Sequence, residues 1–572
     1  MKTHQRLWKF TYAITLLLFC SMFGWSATAC SGSDSNENKK EPTPKPEVNT
    51  GIPDKQGMTI KGKITCEGKA VAQVVVSDGI EVTTTNEQGV YYLPSKKKYG
   101  YVFITIPAGY EVATKNGNMP DFFRKVNSIK ANMVEQHDFT LTKVDNQKHA
   151  IVAMADFHLA NRNDDLKQFA EVASDINETI DRLKRQGYKV YGLSLGDESW
   201  DVYWYERQFN IKEAVQQIKK IDAPVFHCMG NHDNDPYYAN DWMAEKAFID
   251  CFPIYYSFNA GNSHYVVLDN IEYLNNGGSL GTIGDRSYNT TIIKEQMEWL
   301  KKDLALVKDK TQPLVIAFHA PLYRSPGLDI LGNPTATYQL DNAQEFTDLL
   351  REFKNVQVLS GHTHDNYNIA KLNNIHEHNT SAICATWWWT NKLTNNRQHI
   401  CRDGTPGGYG VYLFNDNNLE WYYKSKGHDK GYQFRTYDLN KVYISPEQVN
   451  GNTKLFSSYA RGYNKTNNNN EVLINVWNFD KGWNIEVTED GKPLTVRRTV
   501  GYDPLHILCY EAPRCADNKE PTGAFVTTRT AHLFKVKASN ATSTLHIKVT
   551  DSFGNTFEET MARPKAFDTY MK

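Results

Sequence analysis

Five short, largely apolar runs in the middle of this chain each end on a residue that can hold a metal ion. Residues 150–155 end at Asp156 and residues 190–195 at Gly196-Asp197. Residues 224–229 end at Gly230-Asn231, residues 314–318 at His319, and residues 356–359 at Ser360-Gly361-His362. Continuous apolar runs of this length, closed by glycine and polar residues, read as strands buried on both faces. Helical periodicity lies between them. In residues 166–185, Phe169, Val172, Ile176, Ile180 and Leu183 recur three or four apart. Residues 211–221, 292–306 and 346–353 read the same way. Strands alternating with helices predict a layered α/β core. Reactive residues just past strand carboxyl ends match the place where open sheets carry their sites.

The reactive residues come in a fixed order: Asp156-Phe157-His158, Gly196-Asp197, Gly230-Asn231-His232-Asp233, His319, then Gly361-His362-Thr363-His364. Carboxylate, imidazole and amide groups together suit borderline divalent metals. None of the cysteines forms a CxxC pair, so thiolate ligation is not expected. The ordered series resembles the calcineurin-like metallophosphoesterase family over about residues 149–425. The flanking β-rich modules extend the resemblance to an exported bacterial subgroup.

The resemblance implies a four-layer α/β sandwich with two central mixed sheets and a binuclear metal centre. By motif, Asp156, His158 and His364 take the first ion, Asp197 bridges, and Asn231, His319 and His362 take the second. His232 serves the transition state as general acid or oxygen-stabilising donor, with Asp233 as its orienting partner. The ions expected are Mn, Fe or Zn. The reaction expected is hydrolysis of a small phosphodiester or phosphomonoester by a hydroxide bridging the ions, which offset its repulsion from the phosphoryl group. The alternative is a lipid-anchored surface binding protein that uses its β-domains and carries an inactive metal centre.

Two departures stand out. Asp201 lies one position beyond the family's usual second Asp, which leaves its role open, and Glu198 is expected to face solvent. His158 stands where purple acid phosphatases have Gly, and Trp200 where they have Tyr. A tyrosinate-ligated centre is therefore not expected. Around the site, residues 383–389 read as a strand that sends Trp387, Trp388 and Trp389 to alternate faces, with Trp388 a substrate contact. Tyr323, Arg324 and Arg402 are further candidates for substrate binding. His227 reads as packed, and His376 and His378 as solvent-facing.

The rest of the chain frames this core. Lys2, Arg6 and Lys9, the apolar stretch 12–25 and Ala27-Thr28-Ala29-Cys30 resemble a bacterial lipoprotein signal, with Cys30 acylated. Residues 30–57 are a polar tether that cannot repay its ordering entropy. The expected location is the outer membrane or cell surface through the lipid anchor, otherwise the periplasm. Residues 58–142 alternate as a β-sandwich resembling prealbumin-like modules and read as a spacer or docking module. The catalytic domain is expected over 149–429, and residues 430–572 read as a second β-rich domain. Lys plus Arg is 64 against 65 for Asp plus Glu, a net charge of -1. That balance supplies no basic field, so nucleic acid is not an expected partner. Seven cysteines lie beyond the signal region, an odd number that leaves at least one free; Cys509 and Cys515 are candidates for a short-loop disulfide.

Overall fold

In a computed structural model, the structure describes residues 51–395 and 398–572. The expected signal sequence and the anchor Cys30 lie outside the described residues. Among the described residues no helix is long and apolar enough to cross a membrane.

Successive side chains of a strand point to opposite faces, and both faces of Lys148–Met154 meet apolar partners. Ala150, Val152 and Met154 pack with Phe169, Val172 and Ile176 of the Asp165–Arg185 helix. Ile151 and Ala153 join a second core with Tyr265 and Ile316. This double burial is why the run is apolar without alternation. The strand sits centrally in a five-stranded mixed sheet in the order Val225–Phe226, Lys189–Ser194, Lys148–Met154, Gly408–Asn415, Asn418–Ser425. The first three are parallel and the last two antiparallel. The facing six-stranded sheet runs Tyr256–Ala260, Ser263–Val267, Leu314–Ala317, Val356–Ser360, Ile375–Asn379, Tyr367–Leu372. Its four inner strands are parallel and both edges antiparallel. Helices Asp165–Arg185 and Ile211–Ile218 cover the first sheet, and Lys294–Leu306 and Ala343–Leu349 the second. This is the expected four-layer α/β arrangement, with β-rich regions before and after it.

The leading β-region is not a free-standing spacer. Its Ile60–Cys66 strand pairs with Val90–Leu93 and Phe139–Lys143, and Tyr101–Ile104 centres a second sheet. Its apolar residues run without a break into those of the six-stranded sheet. Phe122 lies 4.7 Å from the Tyr256 ring. The Trp299 indole N–H donates to Ser77 Oγ at 3.1 Å, and the Tyr99 hydroxyl donates to Glu295 at 2.6 Å. A spacer would expose a polar surface here; this region buries an apolar one.

The trailing region holds two four-stranded sheets, one centred on Glu471–Val476 and Thr530–Lys537, the other on Asn484–Glu489 and Leu545–Thr550. Two local expectations fail, and one element was not foreseen. Residues 383–389 form no strand, because Ala385, Trp387 and Trp388 adopt positive φ and coil the chain into the Trp389–Leu393 helix. A hairpin of Ile271–Asn276 and Asp285–Thr290 stands outside both central sheets. Cys509 and Cys515 lie buried on one irregular helical segment, and all seven described cysteines are free thiols.

Trp299 is fully buried at the joint, edge-on to Phe103 at 6.1 Å and beside Tyr255 at 5.1 Å. Trp299→Ala is expected to cost about 3–5 kcal/mol through lost burial and the cavity left behind. Urea unfolding followed by circular dichroism measures this. An unchanged midpoint would mean that the two regions pack independently.

Candidate metal centre

Strand ends from both sheets converge on one point. The first sheet delivers Asp156, His158, Asp197 and Asn231; the second delivers His319, His362 and His364. Five of these seven, Asp156, His158, Asp197, His362 and His364, have φ between 44° and 70°. That left-handed backbone is costly for residues with a Cβ and is found where the surroundings hold it in place. Here it turns each side chain sharply out of its strand direction and into the gap between the sheets.

The glycines of the motifs follow from the same crowding. Gly196 has φ 90°, and a Cβ on it would press on His319 Nδ1 at 2.6 Å. A Cβ on Gly230 would overlap the Asp197 amide nitrogen and carboxylate.

The donor atoms form two groups that share Asp197. His158 Nε2 lies 2.9 Å from His364 Nε2 and 3.6 Å from Asp197 Oδ2. Asp156 Oδ1 is 3.5 Å from His364 Nε2. On the other side, His319 Nε2 is 3.2 Å from Asp197 Oδ2 and 3.1 Å from both Asn231 Oδ1 and His362 Nδ1. The His319 Nδ1–H donates to Leu195 O at 2.8 Å and the His364 Nδ1–H to Ala385 O at 3.1 Å. This leaves Nε2 of each ring facing the other donor atoms, where His364 presents a lone pair and His319 holds either a proton or a metal ion. Carboxylate, amide and imidazole donor atoms converging in this way fit a cation.

The charges agree. Burial drives His158 and His364 well below their usual range and His362 down to about 3, so these rings are neutral and able to bind metal. Burial works against ionised Asp197, but His319 and His232 outweigh it and hold the carboxyl well below the usual range. Burial likewise opposes a charged His319, yet Asp197 lifts it to about 9. Asp197 thus calls for positive charge where the two groups meet, while burial lifts Asp156 to about 7; a metal ion would stand in for the protons both sites otherwise draw in.

His232 lines the adjoining cavity, and its Nδ1–H donates to Asp201 Oδ1 at 2.7 Å. Burial lowers its proton affinity, but Asp201 and Asp197 reverse this and the net shift is upward. The orienting partner is therefore Asp201, not Asp233. Asp233 accepts from the amides of Gly230 and Ser199 and from the Ser199 hydroxyl, which ties the Asn231–Asp233 turn to the loop after Asp197. Glu198 does not face solvent; it is fully buried, 2.5 Å from His227 Nδ1. His227 packs flat on Phe252 at 3.9 Å, as expected of a packed ring. His378 is buried as well, with Nε2 2.8 Å from Gln357 Oε1, and His376 is only part-exposed.

A cavity of about 600 Å³ opens beside these groups. Arg324 and Arg402 line it, but Tyr323 and Trp388 do not. Tyr323 is buried against Tyr338, with ring centroids 5.1 Å apart. Trp388 points inward and donates to Phe157 O at 2.9 Å. Trp387 faces the cavity instead, stacked on His364 at 3.8 Å. Arg402 spends two N–H groups on backbone, donating to Thr363 O at 2.6 Å and Ala524 O at 2.9 Å. The hairpin adds Tyr273, Arg286 and Tyr288 to the wall. Sequence patterns gave no sign of these, because residues 271–290 mix Asn, Gly and Ser with single aromatics and show no sustained period.

The chain is similar to several known proteins. It is 31% identical over 179 residues to purple acid phosphatase 15 of Arabidopsis thaliana, a match that takes in 29% of this chain and 27% of that relative's length. Among solved structures it is similar to a dimetal phosphatase from Danio rerio, at 13% identity and TM-score 0.33, covering 49% of this chain and 97% of that one. A purple acid phosphatase from yellow lupin (Lupinus luteus) shows 14% identity and TM-score 0.31, over 62% and 68% of the two chains. Three family profiles match in succession: the N-terminal region of calcineurin-like phosphoesterases over residues 58–144, the calcineurin-like phosphoesterase domain itself over 149–366, and the C-terminal region over 377–557. With these profiles spanning most of its length, the chain belongs to the calcineurin-like phosphoesterase family.

Proposed function

We propose that this protein hydrolyses a phosphoester with two divalent ions, one held by Asp156, His158 and His364, the other by Asn231, His319 and His362, with Asp197 between them. The observation that carries this reading is the position of Asp197 Oδ2, 3.6 Å from His158 Nε2 on one side and 3.2 Å from His319 Nε2 on the other. The oxygen and nitrogen donors suit Mn, Fe or Zn. When bound, such ions neutralise phosphoryl charge and make a water acidic enough to attack.

The protein's own groups do the rest. Asp201 holds the His232 proton at Nδ1, so Nε2 is the atom presented to the cavity, where it exchanges a proton with the leaving oxygen. The backbone N–H of His232 donates to Asp197 Oδ1 at 2.7 Å, which keeps the acid and the shared carboxylate in register. A cavity of about 600 Å³ has room for a leaving group well beyond the phosphoryl group itself. It accepts a monoester or a diester. The similarity to a purple acid phosphatase supports phosphoester chemistry but not its chromophore: the ring at position 200 is an indole, 5.5 Å from His158, with no oxygen to offer a metal.

Elemental analysis with a panel of aryl mono- and diesters tests the reading. We expect two ions per chain and turnover that stops when they are removed. Full occupancy with no turnover on any ester would favour the binding-protein alternative. Asp197→Asn is expected to reduce metal content below two ions and abolish turnover, because one side chain serves both ions; unchanged content and rate would sink the proposal.

His232→Ala should differ in kind. Metal content should persist while kcat falls roughly 10²–10⁴-fold, the usual scale of acid–base catalysis. The loss should shrink for esters whose leaving group needs little protonation. A loss of equal size across leaving groups would remove the general-acid role.

A further inference from the structure

The Ile271–Asn276 and Asp285–Thr290 hairpin is anchored just beyond the His232 turn. Asn275 Nδ2 donates to Pro236 O at 2.8 Å and Tyr238 O at 3.1 Å, and the Tyr273 N–H donates to Asp241 Oδ1 at 2.7 Å. Residues two apart on a strand share a face, and on Asp285–Thr290 that face carries Arg286 and Tyr288 to opposite sides of the metal-competent groups. Arg286 Nη1 donates to Asp201 Oδ2, while Asp201 Oδ1 accepts from His232. The Tyr288 hydroxyl lies 2.8 Å from His362 Nε2, on the ring whose Nδ1 faces His319.

We propose that the Asp285–Thr290 strand is a positioning element for both halves of the site. Arg286 acts through Asp201 to fix the direction of His232, and Tyr288 fixes His362 for metal. The proposal rests on the hydrolase reading above and adds two residues that the family motifs do not contain.

The physical case begins with Asp201. It is 1% exposed, and a buried carboxylate is stable only when both oxygens are paired. Its two oxygens are divided: Oδ2 accepts from the guanidinium, and Oδ1 from the imidazole and from the Val202 N–H at 2.8 Å. While Arg286 holds Oδ2, the carboxylate plane is set, and with it the direction of the His232 ring. Removing the guanidinium leaves Oδ2 unpaired, so the carboxylate can twist about its remaining Val202 contact and His232 can turn with it. Lysine keeps the charge but not the planar fork, so it restores only part of the constraint.

Tyr288 follows the general rule that a metal-binding imidazole is oriented through its other nitrogen. By accepting the Nε2–H of His362, its hydroxyl leaves the lone pair at Nδ1, on the side of His319 and Asp197. Arg286 also faces the cavity, so direct contact with substrate is the competing role, and that role predicts different kinetics.

The variants Arg286→Ala, Arg286→Lys and Tyr288→Phe, prepared in the metal-loaded full chain, separate these roles. Arg286→Ala is expected to lower kcat roughly 10–100-fold on an alkyl phosphate. The loss should be much smaller on a 4-nitrophenyl ester, with KM unchanged and metal content full, and Arg286→Lys should recover part of it. Tyr288→Phe is expected to weaken metal retention against a chelator roughly 10–100-fold, without altering the dependence on leaving group. An Arg286→Ala effect confined to KM, or equal for both esters, would overturn the role through His232. Metal retention unchanged in Tyr288→Phe would overturn the role at His362.

If the wild-type chain hydrolyses no ester, the hydrolase reading fails, but the positioning claim still has its own readout. The ¹⁵N shifts of the His232 ring, assigned with His232→Gln, should report one Nδ1–H tautomer in the wild type and a mixture in Arg286→Ala. The same tautomer in both would overturn it.

Discussion

The Asp197 carboxylate is the point on which the centre depends. It is 1% exposed, and an ionised carboxylate taken out of water must be repaid by hydrogen bonds and opposite charge. The His232 amide takes one oxygen, and the other stands between two imidazole groups. A proton on His319 repays part of this, and a metal ion held there would repay more. The close packing of Gly230 against it, and of Gly196 against Gly230 and His319, is the steric cost of placing a carboxylate there. Motif glycines and motif ligands are thus one requirement seen from two sides.

Delivering ligands from two sheets demands a turn at each strand end. Five of the seven converging residues adopt left-handed backbone, which costs of order 1–3 kcal/mol at each position. The structure holds them by bonds between the motifs themselves. The His158 amide donates to Asp197 O at 2.9 Å, the His362 amide to Asp156 Oδ2 at 2.9 Å, and the Asp156 amide to Gly196 O at 3.1 Å. Each motif thereby fixes its neighbour, and the rigid strands behind carry the load. Stability lost at the ligands is regained in strands buried on both faces, such as Lys148–Met154.

This division explains what was legible in the sequence. Buried strands and amphipathic helices announce themselves by period, and ligands at strand ends by order, so the layered core and the seven converging residues could be read directly. What depends on loop geometry could not. Asp233 follows His232 in sequence and looks like its partner, yet the turn sends its carboxylate backwards onto the amides of Gly230 and Ser199. Asp201, one position off the usual spacing, reaches His232 because Trp200 is extended before the Asp201–Tyr203 turn. Trp387 and Trp388 exchanged roles because left-handed residues break the alternation that a strand would have imposed. Arg286 and Tyr288 carried no local signal at all, since their significance comes from a hairpin whose pairing is tertiary.

Part of the cavity wall comes from outside the two central sheets, from the hairpin and from Ala524 of the trailing region. Phe525 stacks on Trp387 at 4.3 Å, and Trp387 on His364 at 3.8 Å, so the trailing β-region is continuous with the metal-competent groups. Its attachment is polar and buried. Asp403 Oδ2 lies 3.0 Å from His532 Nε2, His532 Nδ1 2.7 Å from Asn475 Oδ1, and Asn475 Nδ2 donates to Asp503 at 2.8 Å. A buried network of this kind tolerates little displacement, because any shift leaves a polar group unpaired in low dielectric. Arg402 adds a strut by donating to Ala524 O across the same joint. The ions would contact only the phosphoryl group, which every phosphoester shares. Discrimination among esters must therefore come from the walls, and in this chain those walls are set by how the hairpin and the trailing region are held.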